Sequence, residues 1–138
     1  MKYMIMLLGS QRDYDVLTGR GDDAWSAEEV GALHEFMGQW NQELVDSGEF
    51  VDAQGLAAPV HTRRISLRDG APVVTDGPYA ETHEVLAGYT IVECVSFDRA
   101  VEIAARLVKT PHPAGKPTGA DWNVDIRPID DAPPAPEL

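Results

Sequence analysis

Residues 2–9, Lys-Tyr-Met-Ile-Met-Leu-Leu-Gly, put Tyr3, Ile5 and Leu7 on one side of an extended chain and Met4, Met6 and Leu8 on the other. A strand that is apolar on both faces must lie inside a sheet whose two faces are both covered, and this requirement limits the possible folds more than any other feature. Residues 86–95 repeat it, with Tyr89, Ile91 and Val95 on one face and Thr90, Val92 and Cys94 on the other. Two amphipathic helices supply one cover. Ser26-Ala27-Glu28-Glu29 is a capping box, in which the Ser hydroxyl accepts from the backbone of Glu29 while the Glu29 side chain reaches back. Val30, Leu33, Met37, Trp40 and Leu44 then recur at spacings of three and four until Gly48 stops the helix. Ser96-Phe97-Asp98 starts a second helix, which is expected to bury Phe97, Ala100, Val101, Ala104, Leu107 and Val108 and to end near Lys109.

The remaining segments complete an α+β chain. Residues 49–58 read as a strand in which Gly55 marks a bulge or a close approach, and Pro59 ends it or confines it to an edge. Thr62 to Arg68 alternates, with Ile65 and Leu67 expected inward and Arg64, Ser66 and Arg68 outward. Asp69-Gly70 is a hairpin signal, because a type I′ turn needs positive φ, and residues 71–75 return antiparallel. Trp122, Val124 and Ile126 alternate along a last strand. Ser10 to Trp25 is polar, lacks a clean period and is expected to be a loop able to act as a lid. The order is a βαββαβ core with an extra hairpin strand, a mostly antiparallel sheet covered by two helices on one face. The second face is left apolar and bare, which predicts a homodimer stacked sheet on sheet.

The 138 residues suit one domain, residues 1–130, followed by a disordered Pro-rich tail over 131–138. A net charge of −12 argues against nucleic acid, whose phosphates require clustered Lys and Arg. No apolar run approaches the roughly 20 residues that span a bilayer, so no membrane association is expected. The apolar start is too short for a signal peptide and lacks a small-residue cleavage site. Together with a single cysteine, Cys94, this places the chain in the reducing cytoplasm. His34, His61, His83 and His112 are scattered, so no metal site is expected. The chain has no Gly-rich phosphate loop and no nucleophile elbow, and no cofactor is expected.

The most distinctive stretch is Val74-Thr75-Asp76-Gly77-Pro78-Tyr79-Ala80-Glu81-Thr82. Pro78 fixes its own φ and moves Gly77 out of the α region, while Gly77 permits a close backbone approach, so the chain turns sharply after Asp76. An imidazole and a carboxylate in hydrogen-bond reach can act as base and orienter, and His34 with Asp76 is the leading candidate for a catalytic pair, the structural alternative for His34 being a partly exposed histidine at the border of the helix stripe. Trp40, Tyr79 and Tyr89 are candidate pocket walls, and Arg63 or Arg64 could neutralise an anionic ligand. Asp76 bonding within its own turn and Glu81 capping a short turn are the structural alternatives to a chemical role.

Met1-Lys2-Tyr3-Met4, the capped helix ending Trp40 to Gly48, Leu67-Arg68-Asp69-Gly70, Asp76-Gly77-Pro78-Tyr79-Ala80-Glu81-Thr82, Gly88-Tyr89 and Val124-Asp125-Ile126-Arg127-Pro128 together resemble YCII-related proteins of the DGPF type over residues 1–129. The resemblance implies a ferredoxin-like fold that forms a dimeric α/β barrel. It departs at Tyr79, where the family usually has Phe, and in a longer Ser10–Trp25 segment. The wider group is associated with catalysis by a His and an Asp. His34 falls at a position similar to that His, whereas the Asp motif after the second helix is replaced by Lys109-Thr110-Pro111-His112. Two functional expectations result: a small-molecule enzyme or binder using a His/Asp pair beside the sheet, or a non-catalytic binding or regulatory module linked to transcriptional control. The residues leave open whether the chain is an enzyme.

Overall fold

Lys2–Gly9 forms the first strand, β1, and its period-two pattern behaves as the sequence demands: Tyr3 and Ile5 are 1% and 0% exposed, while Met4 and Met6 on the opposite side are half-buried. The computed structural model describes residues 1–21, 24–111 and 123–130. Trp122, His112 and the Pro-rich tail expected from the sequence lie outside those residues. After β1 come α1 (Gln11–Leu17), α2 (Ala27–Ser47), β2 (Phe50–Gly55), a short 3-10 turn (Pro59–His61), β3 (Arg63–Arg68) and β4 (Ala71–Asp76). They are followed by β5 (Val85–Glu93), α3 (Phe97–Ala105), a second 3-10 turn (Arg106–Lys109) and β6 (Val124–Pro128).

The main sheet has the order β2-β5-β1-β6, and each neighbouring pair is antiparallel. With α2 and α3 as the crossovers, this is the ferredoxin-like βαββαβ arrangement. Both helices pack on one face. Trp40 and Leu44 from α2 meet Ala100, Ile103 and Ala104 from α3, together with Leu107, over Tyr3, Ile5 and Val92 of the sheet. The Trp40 indole N–H donates to the Ile103 carbonyl at 2.9 Å, in the last turn of α3, where carbonyls run out of helical partners. A bidentate pair joins Glu49, at the start of β2, to Arg99 of α3, with N···O distances of 2.9 and 2.8 Å. It holds the Glu49 carboxyl below its ordinary pKa, chiefly through the hydrogen bond from Arg99.

The α2 caps follow the sequence signals: Ser26 and Glu29 form the reciprocal box, and Gly48 ends the helix in the left-handed region. The hairpin turn does as well, since Asp69 and Gly70 have φ of 49° and 78°.

Four expectations need correction. Ser10–Trp25 is not a loop throughout. It contains α1, started by a second capping box in which the Ser10 Oγ accepts from Asp13 N–H at 3.2 Å and Asp13 Oδ2 accepts from Ser10 N–H at 2.9 Å. Ile65 and Leu67 do not point into a core: β3 and β4 form a separate two-stranded sheet, and these residues are 72% and 77% exposed. The buried stripe of α3 includes Ile103, whereas Phe97, Val101 and Val108 are 42%, 47% and 49% exposed. The α-helix gives way to a 3-10 turn at Arg106, which changes the angular step and turns Val108 outward. Val95 lies beyond the end of β5 and is 91% exposed, so it does not extend that strand's apolar face.

Candidate functional site

The end of β1, the short helix α1 and the first half of α2 border a partly open cavity of about 320 Å³. Leu7, Leu8 and Gly9 form its floor, Val16 and Leu17 its roof, and Leu33 and Met37 one wall, with Trp25, Leu56 and Ala87 closing the remainder. Its polar side chains are Asp13, Tyr14 and His34. Among the described residues no Lys or Arg lines it, so its electrostatics disfavour an anionic ligand in a chain that is already at −12.

The roof is in place because α1 is fastened along its length. Val60 N–H donates to Gln11 Oε1 at 2.9 Å, and Arg12 N–H donates to the Glu81 carbonyl at 3.1 Å. The Tyr14 hydroxyl donates to the Leu56 carbonyl at 2.9 Å and lies 3.2 Å from the Ala87 carbonyl, bridging the edge where β2 leaves β5. Trp25 N–H donates to the Val16 carbonyl at 2.9 Å, tying the segment before α2 to the end of α1. Burial pushes the Tyr14 phenol above its ordinary pKa, so it stays a neutral donor.

Asp13 occupies the third position of α1, where the capping box fixes its orientation with one oxygen on Ser10 N–H. His34 comes from α2, on the far side of the same cavity, and is exposed to solvent at its mouth. A fixed carboxylate and an imidazole that can exchange protons with water therefore border one apolar space, a combination able to hold a polar group or relay a proton. A second cavity of about 250 Å³ adjoins the first and shares Leu7, Met37 and Ala87; it is lined also by Asn41, Gln54, Tyr89 and Thr90.

The sequence-predicted residues are distributed as follows. His34 lines the larger cavity, and Tyr89 borders the smaller one; the Tyr89 hydroxyl donates to Asp52, which is not among that cavity's lining residues, at 3.4 Å. Trp40 is 1% exposed within the core between the helices. Asp76 ends β4 and pairs across the hairpin with Arg63 at 3.4 Å, both side chains being largely exposed. It is not among the residues lining the cavity that His34 borders. Tyr79 stacks beneath Arg64, whose guanidinium carbon is 5.3 Å from the ring centroid, and lies 5.2 Å from the His83 ring. Glu81 contributes its backbone carbonyl to α1. Sequence reasoning missed Asp13 and Tyr14, although Ser10-Gln11-Arg12-Asp13 is a capping box with Asp where Glu or Gln is commoner. Gly77 does make the close approach expected of it: at φ of 52°, its N–H reaches the Thr62 carbonyl at 2.7 Å, and an added Cβ would lie 3.4 Å from the Val60 carbonyl.

Among the described residues no three His, Cys, Asp or Glu side chains group so as to hold a metal ion, and no helix is long and apolar enough to cross a membrane. The fold and its cavity define an α+β protein of the ferredoxin-like class. More specifically, the chain belongs to the YCII-related domain family, whose model matches residues 1–112. It is also 30% identical over 84 residues, 61% of this chain and 68% of the relative, to an uncharacterized protein of Rhizobium meliloti (strain 1021).

Proposed function

We propose that this protein binds, and through proton transfer can transform, a small, largely apolar molecule that is neutral or cationic. The observation that carries this reading is the cavity of about 320 Å³ bordered by Asp13 and His34. Its volume is near the lower end of the roughly 300–1,000 Å³ typical of small-molecule sites, and its few polar groups sit in an apolar lining, as such sites usually have them. Asp13 would accept a hydrogen bond or an ammonium from the ligand's polar end, with His34 as the exchangeable acid or base at the mouth. In this reading Asp13 takes the part assigned from the sequence to Asp76, which would have to leave Arg63 to reach His34. A concave apolar lining with a few polar groups favours a ligand-handling role over the regulatory module. The turn Asp76-Gly77-Pro78-Tyr79 supports placing the chain in the DGPF type of the family, and its lone, buried cysteine suits the cytoplasm. We take the working unit to be a homodimer in which the second sheet face, with its cross-strand pairs Met4/Ile91 and Met6/Tyr89, stacks on its copy.

The test is a thermal-shift comparison of one-ring and two-ring aromatic amines, phenols and carboxylates. A ligand at a hundredfold excess over its Kd adds about 2.7 kcal/mol to stability, which raises Tm on the order of 10 °C in a chain of this size. Amines or phenols should give that shift and carboxylates should not. Asp13→Asn should weaken amine binding by about tenfold or more, and Leu33→Trp, which fills the space, should abolish all shifts. If no neutral or cationic compound shifts the native chain, or if the shift survives Leu33→Trp, the reading is wrong.

A further inference from the structure

The hairpin formed by β3 and β4 has one face with nothing from its own described chain packed on it. Its register pairs Ile65 with Val74 and Leu67 with Pro72, so these four side chains lie side by side on one surface. Ile65, Leu67 and Val74 are 72%, 77% and 58% exposed. This apolar surface is on the order of 400 Å², within the size range of functional patches on soluble monomers. A solitary two-stranded hairpin is also only marginally stable in water, so an ordered one needs a surface to rest on.

We propose that this hairpin is an arm whose apolar face docks on a second copy of the chain, embracing it beside the stacked sheets. Area decides in favour of a second copy. Two arms related by a two-fold axis, together with the two patches they cover, bury about 1,600 Å², the usual size of a specific interface. A single arm on an unrelated protein would cover half of that, in the range of weak encounters. Charge agrees. Residues 63–76 carry three Arg and two Asp, a net of +1 in a chain of −12, so the arm is a part of the chain that a second, acidic copy does not repel.

The test uses the full-length chain in sedimentation equilibrium, with the double variant Ile65→Glu/Leu67→Glu beside the native protein. Both positions already face water, so the variant should keep its circular dichroism and melt as the native monomer does. The native chain should be dimeric at 10 µM, and the variant should raise the dimer dissociation constant at least a hundredfold. Hydrogen exchange of the amides in residues 63–76 should slow as the native chain is concentrated through that constant. A native chain that is monomeric at 100 µM overturns the proposal, and so does a variant that dimerises as tightly as the native chain. The latter result leaves the stacked-sheet dimer standing. Ile91→Asp tests that separately, because it charges the sheet face and leaves the arm intact.

Discussion

Tyr14→Phe isolates the fastening of the cavity roof, since it removes a single oxygen and keeps the ring against Gly9 and the apolar lining. The lost hydroxyl donates to the Leu56 carbonyl at 2.9 Å and lies 3.2 Å from that of Ala87. Ala87 keeps a partner, because its carbonyl also accepts from Leu56 N–H at 2.8 Å. The Leu56 carbonyl loses this bond in a part of the site that water can reach. The expected cost is therefore that of one neutral hydrogen bond, about 1 kcal/mol, and not the larger penalty of a buried orphan acceptor.

The pH dependence gives a second, independent readout. Burial raises the Tyr14 pKa in the folded chain above its unfolded value of about 10, so the stability gained by keeping it protonated is complete below that pH. It is lost as pH rises through the folded pKa, and Phe has nothing to lose. In urea titrations the native chain should exceed the variant by about 1 kcal/mol at neutral pH, with the gap narrowing above pH of about 10. The neutral fluorophore N-phenyl-1-naphthylamine, used as a cavity probe, should bind the variant less tightly because α1 is less firmly held. Equal stabilities at pH 7, or a gap that stays constant into the alkaline range, would show that the hydroxyl does not hold the roof.

Two further predictions concern the frame. Glu49→Gln breaks the charge-assisted fork to Arg99, which is partly open to solvent, so about 1 kcal/mol should be lost at neutral pH. Because the folded Glu49 pKa is depressed, the native advantage should be present above the unfolded carboxyl pKa and vanish as pH falls through the folded one; acid titrations of both proteins should converge. Trp40→Phe leaves the Ile103 carbonyl without its indole donor and opens space in the core, and should cost about 2–4 kcal/mol by chemical denaturation; a loss under 1 kcal/mol would contradict the packing described.

What could be read from the residues was whatever depends on near neighbours. The two strands with apolar faces, the Ser26/Glu29 box, the Gly48 stop and the Asp69-Gly70 turn each carry their signal within a few positions, and the βαββαβ order follows from them. α1 escaped because seven residues give barely two turns, too few for a period to stand out, and only Val16 in it is fully buried. Asp13 escaped with it, so half of the candidate site was hidden behind one short helix. Alternation in β3 told that Ile65 and Leu67 share a face but not what covers that face, because period two is indifferent to which side meets a core. In α3 the positions 100 and 104, and Leu107 in the 3-10 turn after it, were correctly placed as buried, yet a stripe drawn on an uninterrupted helix ran on through that turn and admitted Val108.

Relative to a bare βαββαβ core the chain has two additions, and the structure joins them. One is α1 with the segment up to Trp25, inserted between β1 and α2; the other runs from Leu56 to Glu84, between β2 and β5, and includes the hairpin. Among the described residues, hydrogen bonds link them from Val60 to Gln11, from Arg12 to Glu81, and from Tyr14 to Leu56. The two on the outside lie on either side of the hairpin in sequence, so its base grips α1 from both flanks. The first addition supplies Asp13, Tyr14, Val16, Leu17 and Trp25 to the cavity, and the second supplies Leu56. The ferredoxin-like core needs neither addition to bury Tyr3, Ile5 and Val92, but without them the space over Leu7 and Leu8 would be open water. The walled site thus belongs largely to the additions. A force that shifts the hairpin, such as docking on a second copy, acts on α1 through the same bonds that hold the cavity's roof.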